Sequence, residues 1–362
     1  MTTAAGASTV RTRSVPLDVL RIGAILGVIA IHVFAGIVGN PAIRGSGTWW
    51  VATIVDIGGI WVVPVFVMVS GALLLSPRVH ADGPAAFYRK RLLRLGPAFV
   101  VWQVFYIVVV RILISHEHLT ALQTIGLVVD GKAYTQLYFL WLIAGLYLVA
   151  PVLAAFLSGG GQRRALVFAG SVLLFTVAVV GLSGLSALFG DPHPIVLNAL
   201  TQWLPYVGFF LAGWALRTVV LSPGWTVAAA LVTAALLAET IWQYGSASRP
   251  AWLQAVSPVG YDGAVVAAAS LGVFVVVQSL FARVTALRER GARMLAQLSD
   301  AAFGVFLVHF FFLTLAVTLF PGLNVARSNS LPVAILLWAG IAVLSFAVSL
   351  AARRVPGLRR LF

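Results

Sequence analysis

Apolar stretches of about twenty residues recur from one end of the chain to the other, and membrane-crossing helices account for them best. Ten such stretches can be marked: 17–38, 50–75, 95–114, 136–157, 165–188, 199–220, 225–244, 262–282, 300–320 and 331–352. A bilayer offers the backbone no water, so each crossing must satisfy its own peptide groups as a helix. Charged residues make up only 9% of the 362, against about 25% in soluble domains. The expected fold is all-α and polytopic, with about ten transmembrane helices. The longest polar interruptions are 76–94, 115–135 and 283–299, so no soluble domain is expected. The chain divides into an N-terminal segment 1–16, a membrane domain 17–352 and a basic tail 353–362.

Basic residues predict the orientation. With the N-terminus in the cytoplasm, 19 of the 24 Lys and Arg fall on the inner side, among them Arg11, Arg13, Arg89, Arg217, Arg283, Arg288 and Arg353. The remaining five are Arg44, Arg111, Lys132, Arg249 and Arg327. This positive-inside bias predicts that both termini are cytoplasmic, and it explains the net charge of +14 without a nucleic-acid partner. Arg11 and Arg13 ahead of an apolar run look like a secretory signal, but the run exceeds 20 residues and is read as a retained first span. Trp49, Trp50 and Trp252 fall near predicted outer edges, where aromatic belts are expected. The segment 283–297, with Leu287 and Leu295 among helically spaced arginines, reads as an amphipathic piece on the inner surface.

Some chemistries are set aside. The chain has no cysteine, which excludes disulfides and thiolate metal sites. His116 and His118 are too few for a metal site, and His80 and His193 read as loop residues. No metal or bound cofactor is expected. There is no P-loop and no nucleophile elbow.

Three constellations remain. Arg21 and His32 stand eleven residues apart in the first span, about three turns plus 20°, so they share one face with a rise of about 16.5 Å. Arg21 alone reads as a snorkelling anchor, whereas an ionisable group inside a span marks a functional site by default. Arg89, Lys90, Arg91 and Arg94 cluster before the third span. Arg91 and Arg94 are neighbours on a helix face, and arginine suits bidentate phosphate recognition. Topological loop charge is the competing reading. In "LSDAAFGVFLVHFFFL" (298–313), Ser299 or Asp300 is expected to cap the helix, and His309 follows about 14 Å further in. Two histidines at similar depth predict a polar cavity, with Ser70, Gln136 and Asp300 as further candidate lining. Asp56 and Glu239 either join it or serve packing.

With these residues in place, the chain resembles the acyltransferase 3 family of bacterial integral membrane acyltransferases, most of all its shorter, WecH-like O-acetyltransferase members. The likeness rests on Arg21, ten residues, then His32; on "VPVFVMVSGALLL" (63–75) with its Ser-Gly; on Arg91, Arg94 and Pro97; and on the late segment ending at His309. It covers about residues 16–352. One departure stands out: where such members often show "HLWFLY", this chain reads "QLYFLW" (136–141). Gln136 replaces a histidine and Tyr138 a tryptophan, which puts the acceptor in doubt more than the fold.

The resemblance implies a bacterial cytoplasmic membrane protein that moves an acyl group, expected to be acetyl, from acyl-CoA to a hydroxyl of a glycan, lipid-linked sugar or natural product. It implies His32 as general base, His309 as a second catalytic residue, and Arg21, Arg91 and Arg94 as acyl-CoA-binding residues. Imidazole suits that role near neutral pH. The rival reading is a proton-coupled transporter or flippase with His32 and His309 as relay groups. Against it stand the arginine cluster and the lack of an evident inverted repeat.

Overall fold

The computed structural model describes residues 13–284 and 289–362. Among them there is no strand, and nine helical segments are long and apolar enough to cross a membrane. In chain order the helices are α1 (Val15–Val38), α2 (Gly47–Asp56), α3 (Val62–Leu74), α4 (Gly83–Phe105), α5 (Ala121–Val129), α6 (Tyr138–Ser158), α7 (Gly161–Leu188), α8 (Val207–Leu216), α9 (Pro223–Gly245), α10 (Ala251–Val256), α11 (Ala264–Phe281), α12 (Glu289–Leu319), α13 (Val325–Ser328) and α14 (Leu331–Ala352). A 3₁₀ turn at Ile57–Gly59 links α2 and α3 into one crossing. Beyond Phe105, α4 continues as a π-helix, Tyr106–Ile114.

Local chemistry sets several boundaries. Proline occupies the first turn of α1, α4, α9 and α14, where its missing N–H costs nothing. Ser46 caps α2 by accepting from the Trp49 amide. Thr120 and Gln123 form a reciprocal capping box on α5, two orphan donors satisfied at once.

The structure corrects several sequence expectations. The stretch 199–220 holds only a short apolar helix, Leu204–Leu216. Both of its ends are tied into the bundle: Ala199 donates to the Val129 carbonyl at one, while Gln162 and Gln278 hold the Ala215 and Arg217 carbonyls at the other. Ser299 and Asp300 are not caps, because α12 already runs from Glu289. Asp300 spends its carboxylate on Arg13 instead. Residues 289–297 of the expected surface piece are thus the first turns of a spanning helix, and the rest of that piece, 285–288 with Leu287 and Arg288, lies outside the described residues, as do Arg11 and most of 1–16. Helix α4 starts well inside the expected loop 76–94. Trp49 is fully buried and donates to the Val38 carbonyl at 3.0 Å, so it is a packing residue and not part of a belt.

Helix packing depends on small residues, because lipid supplies little hydrophobic drive between helices. Helices α3 and α8 cross in backbone contact. A Cβ on Gly71 would lie 1.8 Å from the Phe210 carbonyl oxygen, and one on Gly213 would lie 1.8 Å from that of Met68. The Ser-Gly of the second crossing is therefore a contact requirement at Gly71. Side-chain contacts also separate the two ends of the bundle. Arg13, Asp300 and Arg353 meet at one, hereafter the basic end. Arg44 and Arg249 both reach the Tyr244 carbonyl at the other, named the outer end after the orientation that the basic residues predict.

Candidate active site

A cavity of about 580 Å³ opens between Arg13, Arg21, Arg91 and Arg94 and ends at His32, Gln136, Tyr138 and Tyr261. Its shaft between those two groups is apolar, with Val28, Val62, Phe66, Ile143, Phe303 and Phe306 on the wall. The pattern is a cationic mouth, a greasy shaft and a polar blind end. Helix α1 supplies both termini of this track, since Arg21 and His32 occupy one face of it. Helix α4 delivers Arg91 and Arg94 one turn apart. Ser70 and Asp300 also line the cavity. Ser70 spends its hydroxyl on the Phe66 carbonyl at 3.0 Å.

His309 is fully buried and lies behind His32. The two imidazoles stack with centroids 5.6 Å apart and 22° between planes, and Phe310 packs on both. Nδ1 of His309 faces two carbonyl oxygens, of Phe306 at 2.8 Å and Val305 at 3.2 Å. A carbonyl can only accept, so Nδ1 carries the proton and Nε2 the lone pair. That Nε2 is buried with no hydrogen-bond partner. In this tautomer His309 has no N–H to offer an oxyanion. His32 lines the cavity, and among the described residues its ring makes no hydrogen bond, so its nitrogens are available to a ligand.

Sequence reasoning missed Tyr106. It is fully buried, at the point where α4 becomes π-helical, and such bulges gather at functional sites. Its hydroxyl donates to the Leu307 carbonyl at 2.7 Å and accepts from the Phe311 amide at 3.1 Å. Those two groups form one i, i+4 rung of α12, and His309 lies between them. The phenol thus ties down the turn of α12 that carries His309, beside the histidine pair. The signal in the sequence was weak, because a tyrosine in an aromatic-rich span reads as packing. Gln136, 2% exposed, lies against the same phenol, and neither end of its amide makes a full hydrogen bond.

The mouth is held by charge. Arg13 bridges Asp18 at 2.6 Å and Asp300 at 2.8 Å. Burial works against its charge, but the two carboxylates outweigh that and hold its pKa above the ordinary value. Arg21 donates to the Ser299 hydroxyl at 3.3 Å. Arg91 rests on the rings of Phe87 and Tyr147, at 5.3 and 5.8 Å. Asp56 and Glu239 do not line the cavity, though Asp56 is near enough to Tyr261 to act on it electrostatically.

An arginine-mouthed shaft thus leads through the membrane helix bundle to an accessible imidazole. The family model described as an acyltransferase domain, acyltransferase 3, matches residues 15–354, and the chain belongs to that family. No curated protein and no solved structure matches it significantly.

Proposed function

We propose that the protein is an O-acyltransferase that takes its acyl group from cytoplasmic acyl-CoA, with acetyl the expected group, and passes it to a hydroxyl of a glycan, lipid-linked sugar or natural product. The observation that carries this is the single cavity joining Arg21, Arg91 and Arg94 to His32. The donor is amphipathic in the same order: phosphates, then a long pantetheine arm, then a thioester. The guanidinium groups hold the phosphates, where planar forks match the oxygens. The arm lies along the apolar shaft.

His32 accepts the proton of the acceptor hydroxyl while that oxygen attacks the thioester carbonyl. The tetrahedral oxyanion collapses, the C–S bond breaks, and the CoA sulfur leaves with the proton returned by the imidazolium. Positioned proton transfer of this kind is worth about 10²–10⁴-fold. His309 acts through its stacking on His32 and keeps that ring in place. A neutral Nε2 behind the base also gives the imidazolium a lone pair nearby.

The test is transfer of radiolabel from acetyl-CoA to a glycan extract by purified protein. Wild type should label the extract, and the Arg91→Ala, Arg94→Ala double variant should need more acetyl-CoA, with a smaller deficit in high salt. An unchanged requirement for acetyl-CoA refutes the role of the cluster.

A further inference from the structure

A second cavity, of about 700 Å³, lies at the outer end, and none of the constellations described above uses it. Its wall carries Arg111, Glu117, Asp130, Lys132, Gln202 and Asp262, and its inner boundary is Tyr138 and Tyr261. The same two tyrosines close the blind end of the His32 cavity. The partition between the two spaces is thus built from phenol side chains.

We propose that this outer cavity is the acceptor site, and that it takes a hydroxyl-rich group with no net negative charge. The proposal rests on the acyl-transfer reading of His32. Three carboxylates face two cations here. Both cations are already neutralised, Arg111 by Glu117 at 2.7 Å and Lys132 by Asp130 at 3.8 Å. Asp262 makes no ion pair among the described residues. A phosphate or carboxylate entering this space meets net negative charge, whereas hydroxyl and ammonium protons meet oxygens that can only accept.

One donor at this wall has no partner within the fold. Gln202 Nε2 is buried without a hydrogen-bond partner, a state that wants a ligand or a water. Its seat is built around it. Gly131 holds a positive φ of 70°, and a Cβ there would come within 2.7 Å of that nitrogen. Tyr134 and Tyr206 add aromatic side chains to the wall, which suit the polarised C–H groups of a sugar ring. Charged, amide and aromatic groups therefore converge on an open space separated from the base by two side chains.

The experiment uses the full chain in liposomes, acetyl-CoA as donor and three acceptor probes of one size: a methyl glucoside, a methyl glucosaminide and a methyl glucuronide. The neutral and ammonium glycosides should be acylated at least about 10-fold faster than the glucuronide at equal concentration, a gap of about 1.4 kcal/mol. Asp262→Asn should narrow that gap while leaving the KM for acetyl-CoA unchanged. A preference for the glucuronide, equal rates, or no transfer to any of the three overturns the proposal. Because the chain has no cysteine, Gln202→Cys can be capped with a bulky maleimide. Capping should stop transfer to the glycosides but leave binding of labelled CoA intact, and transfer that persists after capping refutes the outer site. Failure of the acyl-transfer reading looks different: His32→Ala would then leave transfer intact whatever happens at Gln202.

Discussion

Replacing Tyr106 with phenylalanine separates the placing of the histidine pair from the stability of the bundle. The ring, packed 4.6 Å from that of Tyr134, stays. The hydroxyl and its bonds of 2.7 and 3.1 Å to the Leu307 carbonyl and Phe311 amide go. Each bond is worth about 1 kcal/mol net. The two freed groups are an i, i+4 pair, so closing the rung recovers roughly one of the two bonds. The net cost is about 1 kcal/mol, a shift in Tm of only a few degrees for a chain of this size. Without the phenol the turn that carries His309 loses its tether, and His32 stacks on that ring, so both imidazoles shift. A displacement of about 1 Å at a reacting group can cost on the order of 10²-fold. The expected result is a kcat lower by about 10–100-fold with the KM for acetyl-CoA unchanged. Thiol release reports the rate cleanly, since CoA is the one thiol in the assay of a chain without cysteine. Thr314→Val is the control: it removes the 2.8 Å bond to Tyr134 in the same aromatic cluster but touches no rung of α12. Full activity in Tyr106→Phe, or an equal loss in both variants, refutes the positioning role.

Gly213→Val should prevent folding or lower Tm steeply, because even a Cβ there meets the Met68 carbonyl at 1.8 Å, and overpacking costs about 1–3 kcal/mol or more. Yield and Tm in detergent check it. Asp18→Asn should loosen the mouth without touching the base: Arg13 loses its 2.6 Å partner, so the KM for acetyl-CoA should move while the kcat stays near wild type. Gln136→His, on the cavity wall with His32, should change the relative rates with neutral and ammonium glycosides more than it changes the KM for acetyl-CoA.

Much of this was readable in the sequence, for reasons that can be named. The eleven-residue gap between Arg21 and His32 worked because a helix inside lipid has no alternative to regular geometry, so spacing converts directly into a shared face. The arginine cluster was visible as charge, although its helix starts earlier than the polar loop suggested. That α8 would be so short was not legible, because hydropathy counts apolar residues, and Phe209, Phe210 and Trp214 are buried in the bundle rather than facing lipid. Asp300 looked like a cap because its type fits one; only the fold brings Arg13 to it. Tyr106 and the outer cavity escaped for a common reason. Their chemistry lies in contacts between residues far apart in the chain, such as Tyr106 with Leu307 and Gly131 with Gln202, and no periodicity encodes those.

The central claim is that His32 is the base for acyl transfer at the end of the donor shaft. Its most direct measurement is transfer of label from acetyl-CoA by purified His32→Ala protein, alongside binding of labelled CoA to the same sample. The account predicts CoA affinity within about twofold of wild type and a transfer rate lower by about 10²–10⁴-fold. Transfer at the wild-type rate with CoA bound normally would contradict it.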